Sequence, residues 1–152
     1  MPLVGVVIGS KTDEPSIQPA LDMLQQLNIK YEFSILSAHR NPEKVREYSS
    51  KAREQGIEVI IAAAGAAAHL PGVLASWTTL PVIGVPLPTS ELKGIDSLYS
   101  IVQMPAGVPV ACVGIGTSGT KNAALLAAQI LGVKYKEVRD AYEKYKQKLA
   151  DT

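Results

Sequence analysis

A chain of 152 residues with 47% hydrophobic and only 19% charged side chains is apolar enough to fold and, at about 100–200 residues per domain, is expected to form a single domain over residues 1–152. Fifteen Lys and Arg against fourteen Asp and Glu leave a formal charge of +1, and Glu137, Asp140 and Glu143 interrupt the Lys-rich end from Lys134 to Lys148, so the clustered cations of a nucleic-acid surface are missing. No stretch approaches the ~18 apolar residues of a membrane span, no basic-then-apolar signal region opens the sequence, and the single Cys112 excludes an intramolecular disulfide, which together predict a cytoplasmic, membrane-free protein with a buried structural thiol.

In chain order, the β-branched run from Leu3 to Ile8 reads as a strand stopped by Gly9-Ser10. Asp13 or Glu14 ahead of Pro15 marks a helix start, and Ile17, Leu21, Leu24 and Leu27 recur at helical spacing behind it. Tyr31 to Leu36 is the second strand. Asn41-Pro42 opens a helix whose inner face carries Val45, Tyr48 and Ala52 and which stops by Gly56. Val59 to Ala62, Pro81 to Val85 and Val108 to Val113 are three further strands. Ser118 to Asn122 leads into the helical run AALLAAQIL, closed by Gly132, and Lys134 to Ala150 forms an appended helix with Tyr135, Tyr142 and Tyr145, expected to dock on the domain or on a neighbouring subunit. Five buried, nearly continuous apolar strands joined by helical crossovers predict an α/β fold, a three-layer αβα domain of flavodoxin-like type with a parallel sheet.

In such sheets ligands bind beyond the carboxyl ends of the strands, near the point where strand order reverses, and the unusual loops of this chain fall there. Gly9-Ser10-Lys11-Thr12-Asp13 can hold a phosphate on backbone N–H groups and hydroxyls at a helix start, or can be an ordinary capped turn. Ser37-Ala38-His39-Arg40 sets an imidazole able to move a proton near neutral pH beside a guanidinium suited to a phosphate. The loop from Ala64 through Gly65 to His69 and Leu70 has almost no side chains before His69, so backbone can approach a flat ring closely, although a packed helix start would look the same. Gly114-Ile115-Gly116-Thr117-Ser118-Gly119 matches a dinucleotide fingerprint in spacing, but no strand follows it and the acid ~20 positions on, Asp140, lies in the last helix. Its glycines fit tight strand-to-helix packing instead. Two distant histidines and one cysteine make no metal constellation.

Taken together, GSKTD at 9–13, SAHR at 37–40, GAAAHLPG at 65–72, PVIGVP at 81–86, DSLYSIVQMP at 96–105 and NAALLAAQIL at 122–131 resemble the PurE family, class I, in family order and spacing. The resemblance implies a nucleotide-binding isomerase of purine biosynthesis, assembled as a homo-octamer. It would move a carboxylate from the exocyclic nitrogen of an aminoimidazole ribonucleotide to ring carbon C4 with no cofactor, whether metal, nucleotide or biotin. It assigns Ser10, Asp13 and Arg40 to the ribonucleotide, with Ser37 nearby and residues 64–70, Ala64, Gly65, His69 and Leu70 among them, around the imidazole and its carboxylate. His39 would be the catalytic acid and base, and His69 would shape the pocket for carbon dioxide. Ala63 and Ala66 stand where the family usually has glycine, adding two methyl groups to that loop, and Asn41 stands where threonine is usual.

Two other readings compete with this one: a class II-like carboxylase using free carbon dioxide, and a non-catalytic flavin- or phosphate-binding module. The module is disfavoured because Trp77 and Phe33, the non-tyrosine rings, lie outside the three loops. Between Leu70 and Val113 the chain has three charged side chains, Glu91, Lys93 and Asp96, too few for a segment with a large solvent face, so other subunits are expected to cover part of it.

Overall fold

Five parallel strands, β1 (Val4–Ile8), β2 (Tyr31–Ile35), β3 (Val59–Gly65), β4 (Val82–Leu87) and β5 (Ala111–Cys112), form one sheet in the order β2-β1-β3-β4-β5. The computed structural model describes residues 3–152; Met1 and Pro2 of the expected domain lie outside them. A 3-10 turn (Lys11–Asp13) and helix α1 (Glu14–Gln26) follow β1. Helix α2 (Pro42–Lys51) follows β2, α3 (Leu70–Ser76) follows β3, α4 (Ile95–Val102) follows β4, and α5 (Gly116–Gly132) and α6 (Lys136–Ala150) complete the chain.

The period of two along the strands sorts their side chains into two cores. Val4, Val6, Ile8, Val59, Ile61, Ala63, Ile83, Val85 and Leu87 face α1 and α5, where they meet Ile17, Leu24, Ala124 and Ala128. Val7, Ile60, Ala62 and Val82 face the other way, toward Val45, Leu70, Leu74 and Ile101 on α2, α3 and α4. Gly84 is part of this second face, because a Cβ there would run into Ile101. This is the three-layer αβα arrangement expected from the sequence.

Three expectations need correction. Only β1, β3 and β4 are buried; β2 is half-buried and β5 mostly open, since edge strands have a neighbour on one side alone. Cys112 accordingly sits half-buried on the β5 edge. Neither Asp13 nor Asn41 makes a side-chain cap bond; the first-turn prolines Pro15 and Pro42 open these helices without one. α5 begins at Gly116, two residues ahead of the Ser118–Asn122 start expected from composition.

Gly114 lies against Gly119, confirming that the glycine pattern serves close packing of the β5–α5 connection. α6 docks on this chain's own α5 side, through Val138, Tyr135, Tyr142 and Tyr145. Glu58, just ahead of β3, accepts hydrogen bonds from Lys134 Nζ at 2.9 Å and Tyr135 Oη at 2.7 Å. Among the described residues no helix is long and apolar enough to cross a membrane.

Candidate active site

With β1 lying between β2 and β3, strand order reverses at β1, and the loops after these three strands meet above the carboxyl edge. Gly9, Ser10, Asp13, Ser37, Ala38, His39, Ala64, Gly65, Ala67, His69 and Leu70 line one cleft of about 150 Å³. That is below the ~300–1,000 Å³ of pockets enclosing a whole ligand, so the cleft seats one small flat group and leaves the rest of a larger ligand outside.

Each loop is held by its own backbone bonds. Leu36 N donates to Ile8 O at 2.8 Å, carrying the β2–β1 pairing to the edge, and Asn41 N donates to Ser37 O at 2.9 Å. Ser37 Oγ accepts from Arg40 N at 3.2 Å. These bonds close a tight turn around Ala38 and His39. On β1's loop, Ser10 Oγ accepts from Thr12 N at 3.3 Å and lies 2.9 Å from Thr12 Oγ1, so the segment is a capped turn in which Ser10 also lines the cleft. Asp13 makes no cap bond; its carboxyl is left facing the cleft, where partial burial raises it above its ordinary value. It is the one formally charged side chain among the lining residues.

The two histidines meet. His39 Nε2 lies 2.7 Å from His69 Nδ1, with the rings edge to face at 89° and centroids 4.9 Å apart. The contact crosses the mouth of β1's loop and joins the loops of β2 and β3. No separate signal in either loop announces it.

Eight of the nine residues singled out in the sequence line this cleft; Arg40 is the exception. Its side chain is exposed and its backbone closes the Ser37 turn. Gly9, Ala38 and Ala67 line the cleft without having been singled out, as their small size gives no chemical signal. Thr89, also unforeseen, packs its hydroxyl end where a Cβ on Gly65 would sit, and so backs the cleft wall from the β4 side. Neither Ala63 nor Ala66 lines the cleft. Ala63 points into the α1–α5 core, and Ala66 is exposed. The two added methyl groups therefore leave the cleft's walls as they would be with glycine.

Larger clefts lie elsewhere but lack this combination of groups. The one of about 480 Å³ at the amino ends of β4 and β5, lined by Ser76, Thr78, Thr79 and Leu80 among others, has no titratable side chain.

Comparison with known proteins agrees with the geometry. The AIR carboxylase family model matches residues 3–152. An N5-carboxyaminoimidazole ribonucleotide mutase of Saccharolobus solfataricus is 58% identical over 145 residues, 95% of this chain and 90% of that protein. One of Thermotoga maritima is 55% identical over 149 residues, 98% of this chain and 86% of that protein. Among solved structures, a PurE of Treponema denticola superposes with a TM-score of 0.88 at 29% identity, covering 99% of this chain and 93% of that one. With a family model spanning the described chain and relatives sharing more than half of its residues, the chain belongs to the AIR carboxylase (PurE) family.

Proposed function

We propose that this protein is an N5-carboxyaminoimidazole ribonucleotide mutase, an isomerase of purine biosynthesis. The observation that carries the assignment is the meeting of His39, His69, Ser10, Asp13, Ser37 and the Ala64–Gly65 wall on one small cleft in a chain whose relatives bear that name.

The reaction needs a place for a flat heterocycle, a closed space for carbon dioxide and one proton carrier. The N–C bond of the carbamate breaks, its electron pair stays on nitrogen, and nitrogen takes a proton from His39. Ring carbon C4, made nucleophilic by the amine, then forms a C–C bond to the released carbon dioxide. His39 removes the C4 proton, and the C–H electron pair restores the aromatic ring. Walls of Ala38, Ala64, Gly65 and Ala67 hold the gas against the ring at high effective concentration. Asp13 and Ser10 face the ribose side, and the exposed Arg40 takes the phosphate outside the cleft, where its fork can bind bidentately. His69 and Leu70 close the carbon dioxide end. No chemical step requires a cofactor.

A flavin module fits poorly, because no Trp, Tyr or Phe lines the cleft. The protein works in the cytoplasm as a homo-octamer. Support for assembly comes from the exposed apolar side chains Leu92, Ile95, Tyr99 and Val102.

The deciding experiment supplies N5-carboxyaminoimidazole ribonucleotide in one arm and aminoimidazole ribonucleotide with bicarbonate in the other. Efficient conversion in the first arm, abolished in His39→Asn with ribonucleotide binding retained, is expected. Efficient conversion in the second arm alone would make the protein a carboxylase instead.

A further inference from the structure

We propose that His39 and His69 act as one proton-holding dyad, in which His69 is a positioning residue that fixes the tautomer of His39. The catalytic side of this inference rests on the mutase reading; its structural side does not.

His39 Nε2 and His69 Nδ1 are 2.7 Å apart. Two ring nitrogens this close need one hydrogen between them: two lone pairs repel, and two N–H groups collide. The contact allows either ring to supply that hydrogen, and proton exchange with a ligand in the cleft needs a lone pair on the open nitrogen of His39, so His39 is the donor: its neutral ring carries Nε2–H and keeps a lone pair on Nδ1, the nitrogen with no protein hydrogen bond among the described residues. His69 Nδ1 accepts, and its own hydrogen sits on Nε2. An isolated imidazole has no such constraint and divides between two tautomers, one of which has no lone pair on Nδ1.

The other charged or titratable groups around the pair are few. Asp13 faces the same cleft from β1's loop, Arg40 follows His39 on β2's loop, and β3's loop contributes Ala64, Gly65 and Ala67, which do not titrate. His69 is thus the group that decides which nitrogen of His39 carries the hydrogen.

In turnover the dyad begins with both nitrogens of His39 protonated. His39 gives the Nδ1 proton to the exocyclic nitrogen as the N–C bond breaks, and Nδ1 later recovers a proton from C4 as the C–H pair returns to the ring. The charge of the dyad runs from +1 to 0 and back, while the Nε2 hydrogen stays on the axis to His69. A second proton on the pair would have to sit on His69 Nδ1 and break the contact.

The test uses the full-length protein with nitrogen-15-labelled histidine. The chain has two histidines, so single variants assign the signals. At pH 8, ligand-free wild type is expected to show His39 as the Nε2–H tautomer. His69→Phe is expected to show a mixture, and His69→Asn, whose amide oxygen can accept the same hydrogen, to restore the single tautomer. In kinetics, His69→Phe should lower kcat on the order of 100-fold while KM for the ribonucleotide changes by less than about threefold, and its pH profile should change shape; His69→Asn should recover part of kcat. A His39 tautomer indifferent to both substitutions overturns the dyad whatever the activity. So does a His69→Phe enzyme whose kcat and pH profile match wild type. A wild-type protein that does not convert the ribonucleotide sinks the mutase reading and leaves the tautomer measurement to judge the dyad alone.

Discussion

The carbonyl oxygen of Gly114 occupies the position that a Cβ on Gly119 would take. The two glycines bring the end of β5 against the first turn of α5, and Gly114 has a left-handed φ of +133° that other residues rarely adopt. Gly119→Ala should therefore cost about 1–3 kcal/mol through overpacking, measured as a lowered urea midpoint with unchanged slope. A loss below about 0.5 kcal/mol, within the range of ordinary surface substitutions, would show that the connection yields freely.

Ala66 presents the opposite case, a side chain where glycine would be easier. Its φ of +50° lies in the left-handed region, which costs a residue with a Cβ about 1–2 kcal/mol. Glycine loses about 0.5–1 kcal/mol more backbone entropy on folding, so Ala66→Gly should give a net gain of up to about 1.5 kcal/mol. A thermal melt should move upward; a fall would mean that the methyl group makes contacts that outweigh the strain.

Asp13 links the site to stability through pH. Its carboxyl is raised in the folded protein by burial, so the folded state binds the proton more tightly than the unfolded chain. The folded state is thus favoured at low pH, and this advantage fades as pH rises through the unfolded value near 3.8 and then the raised folded value. At neutral pH the buried charge is a liability. Asp13→Asn should raise the melting temperature at pH 7 and leave it nearly unchanged at pH 3, while weakening ribonucleotide binding. Equal shifts at both pH values would assign the gain to packing rather than charge.

Leu92, Ile95, Tyr99 and Val102 are 61%, 49%, 66% and 47% exposed and recur at three- and four-residue spacing along α4 and its approach, making one apolar stripe. Tyr99→Glu should split the assembly, measured by sedimentation at micromolar concentration, and activity should fall with it. A wild-type protein that sediments as a fully active monomer would refute the octamer.

Much of the architecture is legible because β-branched runs and helical periodicity agree with it, as in Val59 to Ala62 and in Ile17, Leu21 and Leu24. Its limits have physical causes. β3 continues through Ala63, Ala64 and Gly65, residues without strand preference, because β4 continues to pair with them. β5 shrinks from the six residues of Val108 to Val113 to Ala111–Cys112, since Pro109 lacks an N–H and Gly107 adopts a φ of +104°. The loops of the site can be picked out by their residues. The His39–His69 contact cannot, because thirty residues separate them and their meeting depends on β1 inserting between β2 and β3.

That insertion also acts as a ruler. Ile8 pairs with Ile35 on one side and Ala63 on the other, so β1 and β2 end level while β3 runs two residues farther, to Gly65, and at ~4.8 Å between neighbours the outer two stand roughly 10 Å apart. Two imidazoles reaching inward span that gap. The spacing of the loops that frame the cleft is thus written in backbone hydrogen bonds, and exchanging side chains leaves that spacing unchanged. Descendants of this fold that handle bulkier rings would have to lengthen the loops rather than trim the walls.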